Sequence, residues 1–233
     1  MKISVVIPAK DEGEGIKGII EQVTPFANEV IVIDGHSKDN TREIAAQHGA
    51  TVISDNNKGK GDAYRVGINA AEGDIIVFID GDGSHEPKDI PRLVESILQQ
   101  KADLVVGSRM LGGSDEFHGN FYNYVRMVGG GLITLIINLR FNVALTDCLN
   151  GFRAIKKDVA LDLNLQANQF DIEQEMVIKC LKKGYQVGEV PSHEYERQWG
   201  KSKLPTFSRA HHFFFRLFKE LFPFPSQKIT PHN

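Results

Sequence analysis

The sequence of 233 residues predicts an α/β protein with an open, mostly parallel β-sheet flanked by helices. Short β-branched runs alternate with helical patterns through the first half of the chain. These runs are continuous enough to be strands that are buried on both faces of a parallel sheet. Glycine follows several of the helical patterns, at the position where helices usually stop.

The individual elements follow from this alternation. Strands are predicted at residues 3–7, 30–33, 51–53, 75–79 and 104–106, and helices at 14–23, 39–48, 62–72 and 87–100. After Gly107 the pattern changes to a glycine-rich segment, an apolar segment at 132–145, a short run at 151–155, a helix at 172–183 and a final run at 185–190. We expect one domain over residues 1–204, whose second half builds a site on the sheet, followed by a tail over 205–233.

The composition excludes several classes of protein. The chain has 27 Lys and Arg against 30 Asp and Glu, a net charge of −3, so a bulk nucleic-acid binder is not expected. Cys148 and Cys180 form no C-x-x-C motif, and no signal peptide is recognised, so we expect a cytoplasmic protein. The apolar stretch at 127–139 is shorter than the roughly 20 residues of a membrane-spanning helix, and no spanning segment is expected.

The tail is basic and rich in phenylalanine. From Arg197 to the end it carries seven basic residues and one acidic residue, a charge of +6, which leaves −9 for residues 1–196. A helix over 207–222 would be amphipathic. Its apolar face would hold Ala210, Phe214, Leu217, Phe218 and Leu221, and its basic face Arg209, His212, Arg216 and Lys219. Such a helix either docks on the core of the protein or lies at the surface of an anionic membrane.

Aspartates follow two of the predicted strands directly. The strand at 30–33 runs into Asp34-Gly35-His36-Ser37, and the strand at 75–79 runs into Asp80-Gly81-Asp82-Gly83-Ser84. Ligands of open α/β sheets bind beyond the carboxyl ends of the strands. Two carboxylates separated by one glycine can share a divalent ion that also holds a diphosphate, since Mg²⁺ and Mn²⁺ prefer oxygen ligands. The alternative is a solvated turn, because Asp and Gly are common turn formers.

Other ion and phosphate motifs do not fit. An EF-hand loop that began at Asp80 would have His85 in place of the sixth-position glycine and Pro91 in place of the final glutamate. The glycines around Lys60 have neither the P-loop nor the dinucleotide-binding spacing. They precede a predicted helix, so they either offer backbone N–H groups to a phosphate or form a flexible loop.

Eight short motifs occur in order between residues 3 and 204. They are Val5-Val6-Ile7-Pro8-Ala9-Lys10-Asp11-Glu12, Ile33-Asp34-Gly35-His36-Ser37-Lys38-Asp39-Asn40-Thr41, Gly59-Lys60-Gly61, Asp80-Gly81-Asp82, Gly107-Ser108-Arg109, Asp147-Cys148-Leu149-Asn150-Gly151-Phe152-Arg153, Glu189-Val190-Pro191 and Arg197-Gln198-Trp199-Gly200-Lys201-Ser202-Lys203. In this order and at these separations, the chain resembles family-two glycosyltransferases of the GT-A fold. Within that family it resembles the dolichyl- and polyprenyl-phosphate sugar synthases.

The resemblance implies inverting transfer of a hexose, from GDP-mannose or a UDP-hexose to dolichyl or polyprenyl phosphate, by a peripheral enzyme at the cytoplasmic membrane face. It implies Mg²⁺ or Mn²⁺ at Asp80 and Asp82, with Asp80, Asp82 and Arg153 as the catalytic residues. The implied donor site comprises Pro8, Ala9, Glu12, Asp34, Lys60, Asp80, Gly81, Asp82, Arg197 and Lys203, and the implied acceptor-phosphate site comprises Arg109 and Arg153. Two departures concern this site: many members have a second Asp at Gly35, and relatives often have an amide at Ser84.

A phosphate acceptor suits these residues, because a phosphomonoester is already an anionic nucleophile at pH 7 and needs no general base. The apolar residues 132–139 would meet a prenyl chain, unless they form a core helix. One alternative is a GT-A enzyme acting on a soluble hydroxyl, with Asp171 or Glu173 as the base, although both acids are expected to be exposed at a helix start. Another is a non-catalytic membrane-binding module. The donor base, the sugar, the prenyl length and the oligomeric state stay open.

Overall fold

A seven-stranded β-sheet forms the centre of the computed structural model, which describes residues 1–117, 121–199 and 210–221. The strands are β1 (Ile3–Ala9), β2 (Glu29–Asp34), β3 (Thr51–Ser54), β4 (Ile75–Phe78), β5 (Leu104–Ser108), β6 (Arg153–Lys156) and β7 (Val187–Pro191). The helices are α1 (Ile16–Val23), α2 (Thr41–Gln47), α3 (Lys60–Ala70), α4 (Ile90–Leu98), α5 (Arg109–Gly112), α6 (Phe121–Phe141), α7 (Lys157–Asp162), α8 (Ile172–Lys182) and α9 (Ala210–Leu221).

The strand order is β3-β2-β1-β4-β6-β5-β7, and every pair is parallel except those made by β6. β6 runs antiparallel to β4 and β5, so its first residue, Arg153, lies beside Phe78 at the end of β4. The loop that precedes β6 therefore reaches the same sheet edge as the loops that follow β1, β2, β4 and β5. The predicted α/β class and mostly parallel sheet are confirmed.

Two hydrophobic layers cover the sheet, because strand side chains alternate between its faces. Val5 and Ile7 of β1 pack towards α1, α2 and α4, whereas Val6 packs towards α3, α6 and α8. In α1 the buried residues recur every three or four positions, as Ile16, Ile19, Ile20 and Val23. Each fully buried aliphatic side chain contributes about 1.5–3 kcal/mol.

Helix α3 begins at Lys60, two residues before the predicted start at residue 62. Gly59 has a φ of 115°, which favours glycine, and the helical hydrogen bonds begin directly after it. Gly61 lies so close to the chain at Ala167 that an added Cβ would come within 2.3 Å of that carbonyl oxygen. The early start places Lys60 in the first turn of α3, at the carboxyl edge of the sheet.

The apolar segment near residue 132 belongs to a longer helix than expected. α6 has 21 residues, and its window Asn123–Phe141 is long and apolar enough to cross a membrane by length and composition. The expected absence of a segment long enough to span a membrane is therefore contradicted by length and composition, because Arg126 does not interrupt the helix. One side of α6 packs into the core through Ile133 and Ile137, and Asn138 exchanges hydrogen bonds with Leu145.

The tail helix buries a different side from the one expected. α9 buries Arg216, Leu217, Glu220 and Leu221 against the domain, whereas Phe214 and Phe218 are exposed. The predicted assignment of Arg216 to a solvent-facing basic side is wrong. The guanidinium of Arg216 binds Asp171 at 2.8 Å and Glu175 at 3.3 Å, and these carboxylates on and beside α8 make its burial possible. The predicted boundary at 204/205 lies outside the described residues.

Candidate active site

A cavity of about 1150 Å³ opens at the carboxyl edge of the sheet. It is walled by the loops after β1, β2, β4 and β5, the loop before β6, the segment after β7 and the helices α3 and α6. Most of the predicted site residues line it: Pro8, Ala9, Glu12, Lys60, Asp80, Gly81, Asp82, Arg109 and Arg197. Sites in this size range hold whole organic ligands.

Asp80 is neutralised by a cation of the protein itself. The ammonium of Lys60 lies 2.8 Å from Asp80 Oδ1 and 2.9 Å from Glu173 Oε1. Burial lowers the pKa of Lys60, but the charges of Asp80 and Glu173 outweigh burial and hold it well above its ordinary value. Burial raises the pKa of Asp80, but Lys60 and His85 lower it by more than burial raises it. The net pKa lies below the ordinary value, and the carboxyl stays ionised.

Asp82 is held by its own loop and by the segment after β7. Its Oδ1 accepts hydrogen bonds from Ser84 N at 3.0 Å and Ser84 Oγ at 2.7 Å. Its Oδ2 lies 2.7 Å from Arg197 Nη2. The indole of Trp199, the single tryptophan of the chain, donates to the carbonyl of Gly81 at 3.0 Å. The segment after β7 thus fixes the loop that carries both aspartates.

The donors around Asp82 fit Mg²⁺ or Mn²⁺. Asp82 and Ser84 supply a carboxylate and a hydroxyl at the cavity wall. The pKa of Glu116 lies above its ordinary value. Burial and the negative charges of Glu194 and Asp82 raise it by more than Arg126 and Arg197 lower it. This part of the cavity is therefore electrostatically negative and would stabilise a cation. Among the described residues no three His, Cys, Asp or Glu side chains are grouped to hold a metal. Mg²⁺ is usually held in this way, by one or two carboxylates together with substrate phosphates.

Arg109 lies at the start of α5 and faces the cavity. Its Nε and Nη2 contact the two carboxylate oxygens of Asp147 at 2.6 and 3.0 Å, and its Nη1 lies 3.4 Å from Glu194. Burial lowers the pKa of Arg109, but Asp147 and Glu194 raise it more, and it stays charged. This bidentate pair fixes the plane of the guanidinium.

Two predicted site residues are placed elsewhere. Arg153 is 0% exposed and does not line the cavity; its guanidinium donates to the backbone carbonyls of Cys148, Asn150 and Glu173. The predicted contact with an acceptor phosphate is therefore wrong. Arg153 points, like Ile155, to the face of the sheet that α8 covers, and backbone carbonyls hold its guanidinium there. Asp34 is also buried, and it binds Ser37 N and Arg42. Lys203 lies outside the described residues.

Glu173 is the site residue whose environment was predicted wrongly. Asp171 and Glu173 are both buried, contrary to the expected exposure, and Glu173 lines the cavity at 2% exposure. Its Oε1 contacts Lys60, while its Oε2 has no hydrogen-bond partner within the described part of the chain. The sequence did contain a signal for this burial. Ile172, Met176 and Val177, the apolar residues near Glu173, occupy more than one face of the helix, which indicates a helix that is buried on several sides.

The model of the family described as Glycosyl transferase family 2 matches residues 4–163. The chain belongs to this family. It is 31% identical over 201 residues to glycosyltransferase AglJ of Haloferax volcanii, an alignment that covers 85% of this chain and 64% of that one. It is 29% identical to the low-salt glycan biosynthesis hexosyltransferase Agl6 of the same organism, which covers 88% of this chain and 50% of that one. The chain thus spans less than two thirds of the length of these two relatives.

The fold is similar to that of solved GT-A structures. Glucosyl-3-phosphoglycerate synthase from Mycobacterium tuberculosis, in complex with Mn²⁺, UDP and glucosyl-3-phosphoglycerate, has a TM-score of 0.74 at 24% identity and covers 94% of this chain and 80% of that chain. The same enzyme with Mg²⁺ and UDP also has a TM-score of 0.74, at 23% identity over 94% of this chain and 79% of that one. At this identity the similarity establishes the fold, and it confirms the predicted GT-A-like class.

Proposed function

We propose that this member of glycosyl transferase family 2 transfers a hexose, with inversion, from a nucleotide sugar to dolichyl or polyprenyl phosphate. The proposed enzyme depends on Mg²⁺ or Mn²⁺ and lies peripherally on the cytoplasmic face of a membrane. The observation that carries the proposal is a single cavity with two parts: a charged floor around Asp82 and Lys60, and an apolar wall formed by α6 and α9.

The charged floor suits the donor. Pro8, Ala9 and Gly35 line the part of the cavity near β1 and β2, where a nucleoside would lie, and the aspartate loop follows β4 beside it. Asp82 and Ser84 would hold the metal ion, whereas Asp80, the other predicted ligand, has both carboxylate oxygens paired with Lys60. The solved neighbours contain UDP with Mn²⁺ or Mg²⁺, and one relative is named a hexosyltransferase, which supports the assignment of donor and metal.

The reaction places negative charge on the departing nucleoside diphosphate. A bound Mg²⁺ or Mn²⁺ supplies Lewis-acid stabilisation of that charge. Lys60 and Arg197 lie beside the aspartates and add fixed positive charge on the same side. Arg109, which Asp147 orients, would hold the acceptor phosphate for attack on the sugar. Because that phosphate is anionic at pH 7, these residues need only position it.

The apolar wall suits a prenyl chain. Val128, Ile133, Phe213 and Phe214 line this wall. Val128 and Phe214 are also about half exposed, so they form the rim of the cavity. A lipid could therefore place its chain against α6 and its phosphate towards Arg109.

The exposed side of the same two helices suits a membrane surface. α6 presents a stripe of large apolar residues at helical spacing, and α9 adds three phenylalanines. The exposed residues are Tyr124, Val128, Leu132, Leu135, Leu139, Phe214, Phe215 and Phe218. Arg140 and Lys219 are exposed on the same helices and could face anionic headgroups. Because α6 also packs into the core, we propose that it lies in the interface.

A transfer assay tests the proposal. Radiolabelled GDP- and UDP-hexoses are incubated with polyprenyl phosphate vesicles and either Mn²⁺ or EDTA, and lipid-linked sugar is extracted and counted. We expect one donor to give a metal-dependent lipid product. Transfer to 3-phosphoglycerate or a soluble sugar in parallel tubes, with none to the lipid, would contradict the lipid acceptor while preserving the family activity.

The buried position of Glu173 favours a second candidate, transfer to a hydroxyl with Glu173 as general base. Its unpartnered Oε2 could accept the proton of a hydroxyl nucleophile. The Glu173→Gln variant separates the two functions. With a phosphate acceptor most of the turnover would remain, because Asp80 still pairs with Lys60, whereas a hydroxyl acceptor would lose about 10²–10⁴-fold.

A further inference from the structure

Glu189 on β7 belongs to one of the eight sequence motifs, yet the proposed function gives it no role. Its two carboxylate oxygens accept three hydrogen bonds from two consecutive residues. Oε2 accepts from Thr146 N at 2.7 Å and Thr146 Oγ1 at 3.1 Å, and Oε1 accepts from Asp147 N at 2.7 Å. One side chain thus fixes the backbone at 146–147 from 42 residues away.

The fixed backbone leads directly to Arg109. Asp147 holds the guanidinium of Arg109 through both carboxylate oxygens, at 2.6 and 3.0 Å. Thr146 Oγ1 also lies 2.6 Å from Ser108 Oγ, the residue before Arg109. β7 pairs with β5, and Glu189 lies beside Val106 in this pairing. Glu189 therefore supports the backbone at 146–147 from the strand next to β5, and Arg109 follows directly after the end of β5. Glu189 itself does not line the cavity.

The need for two acceptor oxygens explains why a carboxylate is kept here. Glu189 has no ion-pair partner among the described residues, which makes its partial burial costly. Burial raises the pKa of Glu189, and the three hydrogen bonds offset only part of that cost. A glutamine would present one oxygen and one amide, so either Thr146 N or Asp147 N would lose its acceptor.

We propose that Glu189 is a positioning residue, which sets the guanidinium of Arg109 at the cavity wall by fixing the backbone of Thr146 and Asp147. The inference rests on the proposed function only in naming the acceptor phosphate as the group that Arg109 receives. Its chain of contacts predicts that Glu189 acts on the acceptor through Arg109 and leaves the donor site unchanged.

The Glu189→Gln variant tests this role, with Asp103→Asn as the matched control. Asp103 also accepts a backbone N–H, from Gln186, but at the opposite end of β5 and β7. The first readout needs no substrate: the ¹⁵N–¹H signal of Arg109 Nε, assigned with Arg109→Lys. We expect Glu189→Gln to shift or broaden this signal and Asp103→Asn to leave it in place. An unchanged signal in folded Glu189→Gln protein would overturn the proposal. Thr146→Val removes one of the three bonds and the contact with Ser108 Oγ but keeps both backbone N–H bonds to Glu189, so a smaller shift is expected.

The second readout is a double-mutant cycle with Arg109→Ala. We expect Glu189→Gln to lower kcat/KM for the lipid acceptor about tenfold, to leave the Kd of the donor nucleotide within about twofold, and to add nothing further in the Arg109→Ala background. Equal losses in both backgrounds would reduce Glu189 to general structural support. If the unmodified chain does not transfer to lipid, the proposed function fails, while the Arg109 signal still decides the role of Glu189.

Discussion

Three of the cations at the cavity wall, Lys60, Arg109 and Arg197, are each paired with two carboxylates. Their partners are Asp80 and Glu173, Asp147 and Glu194, and Glu12 and Asp82, respectively. Such pairs hold the cations in fixed directions before any ligand arrives. Preorganised charge stabilises a transition state without the cost of reorienting groups during the reaction.

At the scale of single residues, Asp82 is expected to carry the metal dependence. Replacing it by Asn removes the charge but keeps the shape, so turnover should fall by about 10²–10³-fold. Trp199, which contacts the same loop, reports binding directly, because paramagnetic Mn²⁺ quenches nearby fluorescence. We expect Mn²⁺ with UDP or GDP to quench the unmodified protein and Asp82→Asn much less. Asp89→Asn, a buried aspartate outside the cavity, is the control and should behave like the unmodified protein.

Gly151 is expected to be needed for the pair of Lys60 and Asp80. A Cβ at this position would lie 2.9 Å from both Asp80 Oδ2 and Lys60 Nζ, closer than real side chains come. Gly151→Ala should therefore displace this pair and lower kcat/KM by about tenfold, as measured by initial-rate kinetics. Gly18→Ala is the control: it lies in α1, where an added Cβ would meet only Gln22 Nε2 at an ordinary 3.9 Å, and it should raise the stability by about 0.5–1 kcal/mol without changing the rate. An unaltered rate for Gly151→Ala would contradict this prediction, because it would mean that displacing Lys60 and Asp80 does not impair the reaction.

At the scale of elements, a buried charge cluster docks α9 on the domain. Arg216 contacts Asp171, Glu175 and Glu220, and Lys182 Nζ binds the Glu220 carbonyl at 2.9 Å near the end of the helix. The cluster lies beside the start of α8, which also carries Glu173 in the cavity. α9 is therefore joined to the site through α8.

Removal of Arg216 should undock α9. Arg216→Met leaves the buried Asp171 carboxylate without the Arg216 ion pair, which costs about 3–5 kcal/mol, whereas Glu220 keeps its pair with Lys182. We expect backbone amides at 212–221 to lose hydrogen-exchange protection while the sheet keeps its own. Lys219→Met, on the exposed side of the same helix, is the control and should leave the exchange unchanged. Retained protection in Arg216→Met would mean that Leu217 and Leu221 suffice for docking.

The same cluster is expected to weaken in acid. Burial raises the pKa of Glu175, but hydrogen bonds from Lys179 and Ala167 N and the charge of Arg216 outweigh burial, and the net pKa lies below the ordinary 4.5. A lowered carboxyl pKa contributes stability above about pH 4.5 that is lost as the pH falls through the folded value. The difference in unfolding free energy between the unmodified protein and Glu175→Gln, from urea denaturation, should be constant from pH 7 to 5 and shrink at pH 4 and 3. A difference independent of pH would argue against this role.

At the scale of the whole molecule, the two layers over the sheet have different surfaces. Large apolar side chains are exposed along α6 and α9 on one layer, whereas α4 on the other layer exposes an isolated Leu98. Contiguous apolar surface of this kind marks an interaction site. The layer that carries α6 and α9 also forms the rim of the cavity, so a bound membrane would face the opening.

A charge on this surface should impair membrane binding. Leu139 is 76% exposed and Phe215 64% exposed, so the double variant Leu139→Glu and Phe215→Glu should fold normally but repel anionic lipid. We expect it to stay in solution in flotation with phosphatidylglycerol-containing vesicles, and to lose activity about tenfold on a long-chain acceptor but little on a short soluble analogue. Leu98→Glu, at 48% exposure on α4, is the control. Equal flotation of both proteins would refute the membrane-facing surface.

The local pattern of the sequence was sufficient to predict the α/β class, the strands that carry the site, and the position of Asp80 and Asp82 directly after β4. This is because buried strands leave uninterrupted apolar runs, and polar residues directly after them must lie at the sheet edge. Sequence resemblance also identified most cavity residues, including Lys60, Arg109 and Arg197. None of these inferences required knowledge of contacts between distant parts of the chain.

Tertiary structure alone decided which charged side chains are buried. Arg153 is buried because it points to the sheet face that α8 covers, where backbone carbonyls accept its hydrogen bonds. Glu173 is buried beside Lys60, and Arg216 is buried because Asp171, 45 residues away, offers it a carboxylate. A charge can be buried only where its partner is, and these partners come from other elements of the fold. Periodicity within one helix reports its apolar residues, but it carries no information about the carboxylates that a neighbouring element will bring.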